Sequence, residues 1–183
     1  MHAHETEMNL GAIAPETPIQ ENIDSVHCFC YKGYRIIPLA GFEIKAKVLS
    51  KHDYRVGRES SLSSTDLALG WGRMSDDEVL SHLEISQSHR WYHWHTEDFP
   101  IPRWEIETHS ANMHMIPKNT VIATKLKKVH KGDLVSLKGK LVNVNALDGW
   151  HWMSSLSRDD TGEGACEVIF VEAIEVEKLK QRQ

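Results

Sequence analysis

Apolar and polar residues alternate most regularly between Phe42 and Val48. Phe42, Ile44, Ala46 and Val48 fall on one side and Glu43, Lys45 and Lys47 on the other. That period of two predicts a strand with one buried and one wet face. In the last third, DLVSLKGKLVNVN places Val135, Leu137 and Leu141 on one face and Val142 and Val144 on the other, with Gly139 between. A strand that exchanges its buried face beside a glycine is expected to bend or bulge there, as a closing barrel requires. GWHWMSSLS and CEVIFVEAIEV read as two more strands, joined by the turn-rich RDDTGEGA. The pattern G-D-x-V-x-L-x-G-x-L-x-x-V is similar to the first strand of an OB-fold barrel.

The helical signals are fewer. Ser75 and Glu78 form an S-x-x-E capping box, with Asp76 and Asp77 at the positive end and Val79, Leu80 and Leu83 as the buried stripe, to a stop near Ile85. Pro102 suits the first position of a helix that ends in a turn over Ser110 to Asn112. A third helix is expected from about Thr120 to Val129, capped by Asn119, with Ile122, Leu126 and Val129 inward and three lysines at its C-terminal end. HRWYHWHT reads as a strand. KHDYRVGRESSLSSTDLALGWGR reads as a long polar connection carrying an apolar patch.

These elements predict a single α+β domain: a small, bent antiparallel β-barrel of OB-like character with two or three packed helices. The domain spans residues 27 to 177. Residues 1 to 26 are a polar, proline-punctuated lead-in without strand or helix period, and 178 to 183 a polar tail. The 183 residues and 40% hydrophobic content suffice for a folded core.

Charge narrows the partners. Lysine plus arginine is 21 and aspartate plus glutamate 26, a net charge of −5, which argues against generic nucleic-acid binding. No run of about eighteen apolar residues is present, so no segment is expected to span a bilayer. Read as it stands the chain is cytoplasmic, although MHAHETEMN is also consistent with a remnant joined to a trimmed chain. Cys28, Cys30 and Cys166 are too few for a disulfide scaffold.

Four stretches carry candidate chemistry. As a strand, HRWYHWH puts His89, Trp91, His93 and His95 on one face and Arg90, Tyr92 and Trp94 on the other. His93 and His95 have the H-x-H spacing of a metal pair, but a third and fourth ligand and the cupin pattern are missing, so no metal and no cofactor are expected. HSANMH brings His109, Asn112 and His114 near a helix end, as a polar pocket or as ordinary turn residues. Cys166 with His109 and Asn112 matches the residue types of a thiol hydrolase; a cysteine on a strand is more often a small buried hydrophobe. Trp150 and Trp152 form a stacking platform or fill the barrel mouth, with Arg158, Asp159 and Asp160 in the adjoining loop.

LSSTDLALGWGRMSD, EISQSHRWYHW, PIPRWEIETHSANMHMIP, KGDLVSLKGKLV and GWHWMSSLSRDDTGEGACEVIFVE together resemble an uncharacterised family of bacterial proteins, over roughly residues 35 to 172. The family's motifs bring no established activity with them. Its members often begin with a membrane-anchoring helix followed by a segment like GAIAPETPIQ, so the resemblance implies an anchored protein facing the periplasm. The family pattern centres on Arg90, Trp91, Tyr92 and His109 to Asn112, and leaves out His89, His93 and His95. The expected function is a non-enzymatic binding or accessory module of the cell envelope, whose ligand or protein partner lies near Arg90, Tyr92, His109, Asn112 and Arg158. The alternative is a thiol-dependent hydrolase or transferase using Cys166, His109 and Asn112.

Overall fold

The computed structural model describes residues 11–23, 27–159 and 165–179. The fold is mixed α and β. Its strands are β1 (Ile19–Asn22), β2 (Phe29–Tyr31), β3 (Tyr34–Asp53), β4 (Thr65–Gly70), β5 (Glu84–Ser88), β6 (Trp91–His95), β7 (Ser110–Pro117), β8 (Leu134–Asn145), β9 (His151–Trp152) and β10 (Glu167–Glu177). The described helices are α1 (Asp77–Ser81), α2 (Arg103–Thr108) and α3 (Thr120–Lys127).

Five strands pair in a path that closes on itself: β3, β4, β7, β10, β8 and back to β3. β7 and β10 are its parallel pair and the other contacts are antiparallel. Inside the ring lie Phe42, Ile44, Leu67, Leu69, Trp71, Met113, Met115, Leu137, Leu141 and Ile169. The apolar face of α3, with Ile122 and Leu126, packs against this cluster. Asn119 caps α3 as expected, accepting from the Ile122 N–H at 3.0 Å.

A second apolar cluster, Ile36, Leu62, Ile116, Val142, Val144, Val168 and Phe170, lies outside the ring. β8 therefore does exchange faces between Leu141 and Val142. The accommodation differs from the expectation. β8 keeps continuous register through Gly139, and the extra residues sit on its partners, at Leu39 in β3 and Glu172 in β10. Gly139 serves close approach instead: a Cβ there would lie 2.1 Å from the Phe170 carbonyl oxygen. The stretch likened to an opening barrel strand is fourth of the five in chain order.

Other expectations change as well. TDLALG is a strand, β4, buried along its whole length; with no wet face it has no alternation to read. The polar lead-in contributes β1, paired antiparallel to β3, whose four residues are all exposed and so carry no period. The cap of α1 is Asp76, accepting from the Glu78 N–H at 2.9 Å. Ser75 is buried, donating to the Gly72 carbonyl and accepting the Ala14 N–H. α1 ends at Ser81, and EISQS is β5. SANMHMIP is a strand, so the predicted turn at Ser110 to Asn112 does not exist. Of GWHWMSSLS only His151 and Trp152 are strand, and of the RDDTGEGA loop residues 160–164 fall outside the described residues.

A polar seam and an aromatic cleft

β5 and β6 form a separate two-stranded hairpin. Ser88 pairs with Trp91, which leaves His89 and Arg90 as a two-residue turn, with φ of +52° and +69°. Both positions are left-handed, as this hairpin geometry demands, yet neither is a glycine, so the turn is strained and must be held from outside. Arg90 does the holding. Its Nη1 donates to Asp66 Oδ1 at 2.7 Å and its Nη2 to the Ser63 carbonyl at 2.9 Å. The guanidinium lies 3.9 Å over the Tyr54 ring, and the Arg90 N–H donates to the Tyr54 hydroxyl at 2.8 Å.

Asp66 is fully buried, and its other oxygen lies 2.9 Å from His114 Nδ1. β4 and β7 put Asp66 opposite His114 and Ala68 opposite Asn112. The Asp66–His114 pair and Asn112 thus form a polar seam on the outer face of the ring, between the second apolar cluster and a third of Leu49, Ala68, Met74, Val79, Ile101 and Ile106. Tyr92 and Trp94 of β6 pack on the third, and Trp152 stacks on His114 at 4.7 Å. Asn112 is the hub of the seam. Its amide donates to the Arg90 carbonyl at 3.0 Å and to Cys166 Sγ at 3.8 Å, and its oxygen accepts from Gln87 at 2.7 Å.

Beside the seam opens a cleft of about 180 Å³. Trp91, Tyr92 and Trp94 form one wall, with Ser110 and Asn112 from β7 and Arg158, Cys166 and Glu167 opposite. Glu167 is fully buried and lies 2.7 Å from Arg158 Nε, and Arg158 Nη1 donates to Gln20 of β1 at 3.1 Å. The Tyr92 hydroxyl donates to Ser110 Oγ at 3.2 Å, which donates to the Ile106 carbonyl at 2.6 Å. Burial pushes the Tyr92 phenol up to about 12 from 10.0. The folded state then holds this proton more tightly than the unfolded one. The associated stability is present below pH 10 and drains away between pH 10 and 12, by about 2–3 kcal/mol. Tyr92→Phe should therefore flatten the alkaline fall in unfolding free energy; parallel denaturant melts at pH 9 and 11 check this.

Among the residues singled out from sequence, Tyr92, Asn112, Arg158 and Cys166 come together at this cleft. Arg90 does not line the cleft: its carbonyl accepts from Asn112, and its charge is committed to Asp66. His109 is elsewhere. It terminates α2, its Nδ1 faces the Glu105 carbonyl and Thr108 hydroxyl, and its ring lies between Trp71 and Trp104. Trp150 and Trp152 do lie together, with ring centroids 6.4 Å apart against the second apolar cluster; Trp150 also meets Tyr34 and Arg58, and Trp152 meets His114. His93 and His95 point outward with Trp91. Among the described residues no group of three or more His, Cys, Asp or Glu side chains is placed to hold a metal ion.

Asp66, Glu107, Ser110 and Glu167 were missed. Asp66 had a signal, a carboxylate inside the apolar run TDLALG, which needs a buried partner. Comparison of the chain with protein-family models, curated proteins and solved structures gave no match.

Proposed function

We propose that this protein is a non-enzymatic binding module, built on an OB-like barrel and acting as an accessory protein of the bacterial cell envelope. The observation that carries the binding reading is the cleft: three aromatic side chains facing a set of polar groups already fixed by hydrogen bonds. Pockets of that composition, small and preformed, are where ligands bind. The barrel reading draws on the closed five-strand path with its one parallel pair. By analogy, OB folds bind ligands on the face of their second and third strands, flanked by the loops after the first and fourth. Those places are here β4 and β7, residues 54–64 and, among the described residues, 146–159 and 165–166, and the cleft draws on both β7 and the last of these. The envelope location draws on the family resemblance.

The test is a fragment panel screened by thermal shift against the wild type and Trp91→Ala. Ligand at a hundred times its Kd stabilises by about 2.7 kcal/mol. Fragments that raise the melting temperature of the wild type but not of the variant support the reading; identical responses count against it.

The thiol-enzyme reading requires a base at Cys166. The Cys166 thiol instead donates to the Arg90 carbonyl at 3.8 Å, and the His109 ring is held at α2. Alkylation near neutral pH should modify exposed Cys28 and Cys30 first and Cys166 slowest. Mass spectrometry showing Cys166 modified fastest would restore the enzyme.

A further inference from the structure

We propose that the outward side of α3 and the turns at its two ends form a docking surface for an anionic phospholipid bilayer, contacted by Lys118, Lys125, Lys127, Lys128 and Lys131. None of these residues lines the cleft, so the surface is separate from the binding site above.

Charge is unevenly divided along the chain. Residues 108–132 hold these five lysines and no arginine, aspartate or glutamate, a formal +5. The whole chain is −5, so everything else amounts to −5 − 5 = −10. Segregation of this kind is what a surface for an anionic partner requires in a chain that is acidic overall.

The fold concentrates this positive charge and does not cancel it. Ile122, Leu126 and Val129 turn into the core, and all five lysines are exposed. The last carbonyls of a helix need donors, and its C-terminal end favours cations. Those needs are met from other elements: Lys51 donates to the Lys127 carbonyl at 2.9 Å and Lys178 to the Lys128 carbonyl at 3.0 Å. Lys51 and Lys178 are themselves ion-paired, with Asp53 and Asp133. On β10, Ile174 and Val176 face the core cluster on which α3 packs, so Glu175 and Glu177 point to the other face of the strand. Lys125 reaches the Ile174 carbonyl at 3.2 Å. The ion pairs that lysines make among the described residues belong to Lys47, Lys51, Lys138, Lys140 and Lys178, and to none of the five.

The residue types favour a bilayer over nucleic acid. Nucleic-acid surfaces combine cations with stacking aromatics or guanidinium forks. Residues 118–131 contain no arginine, phenylalanine, tyrosine or tryptophan. Ammonium groups on flexible stems suit the mobile phosphates of a lipid leaflet, and clusters of four to eight basic residues on a helix are attracted to it. Each lysine near the surface strengthens attachment roughly five-fold. Val121, 61% exposed at the start of α3, adds an apolar contact.

The full chain is co-sedimented with vesicles of phosphatidylcholine alone, or of phosphatidylcholine and phosphatidylglycerol in equal parts, at about 50 mM and about 500 mM salt. Two patch variants are compared, Lys127→Gln with Lys128→Gln, and Lys118→Gln with Lys131→Gln; the second pair lies outside the helix, where no helical turn is weakened. The control is Lys32→Gln with Arg35→Gln, both exposed, which removes the same charge elsewhere. Arg35 pairs with Asn145 at the end of β8, whereas Lys131 precedes its start at Leu134. The expected result is binding to the phosphatidylglycerol vesicles alone and at low salt, weakened about 25-fold by either patch variant and less than about three-fold by the control. Absence of binding to either vesicle, equal binding to both, or binding that survives high salt overturns the proposal. So does equal weakening by patch and control variants, which would assign the effect to net charge. A duplex oligonucleotide that binds through the same lysines more tightly than the vesicles also overturns it, and gives the patch to nucleic acid.

Discussion

Asp66→Ala should lower the unfolding free energy by about 3–5 kcal/mol. The carboxylate is fully buried, with Arg90 at 2.7 Å and His114 at 2.9 Å. Removing one member of such a pair leaves the other charge without compensation, and the Arg90 side chain keeps only 18% of its surface exposed. A structural consequence adds to the electrostatic one. Arg90 sits at a left-handed φ of +69°, and its ion pair is what holds the hairpin turn in that conformation. Without Asp66 the turn should relax, and the Tyr54 and Trp152 rings stacked on the guanidinium should change environment. Near-UV circular dichroism reads that change and denaturant melts read the stability. The double variant Asp66→Ala with Arg90→Met should be less destabilised than the sum of the singles, because the orphaned charge is gone. A single-variant loss below about 1 kcal/mol would show that the seam is not a buried ion pair in solution.

Gly139→Val should be comparably severe, at about 3 kcal/mol or more, or should prevent soluble expression. A Cβ at this position would lie 2.1 Å from the Phe170 carbonyl oxygen and 3.2 Å from the Val171 Cα. Both are backbone atoms of β10, so relief requires separating β8 from β10 where the extra residue Glu172 already interrupts their register. Gly41 in β3 supplies the control. Its nearest neighbours would be 3.7 Å away, so Gly41→Ala should stay within about 1 kcal/mol of the wild type. Similar melting of the two variants would remove the close-approach account of Gly139.

What could be read in the sequence follows from burial geometry. The strand at Phe42 to Val48 and the helix after Asn119 were legible because each has one buried face and one mostly wet one; Lys47, expected on the wet side, is instead buried and ion-paired with Asp77. β4 has no wet face and β1 no buried one, so neither left an alternation to find. α1 and α2, of five and six residues, are too short for a helical stripe to outweigh their neighbours. SANMHMIP was misjudged for a different reason. Ser110, Asn112 and His114 are turn-forming types, and their place on a strand depends on partners distant in sequence: Tyr92, Gln87 and Asp66. The face exchange at Leu141 was visible in β8, but its remedy lies at Leu39 and Glu172, which pairing alone reveals. The site was half legible. Polar residues were chosen by type, which found Tyr92, Asn112, Arg158 and Cys166, and gave no means to see that the His109 ring lies between two tryptophans away from them.

The pairing of β3 with β8 also governs the timing of assembly. β3 ends at Asp53 and β8 at Asn145, 145 − 53 = 92 residues later. At a synthesis rate of roughly 5–20 residues per second, β3 waits roughly 5–20 s for this partner. During that interval its long edge, apolar on one side, is available to chaperones or to the β3 of another nascent chain. Refolding from denaturant should likewise fall in the slow range of milliseconds to seconds that non-local strand pairing imposes.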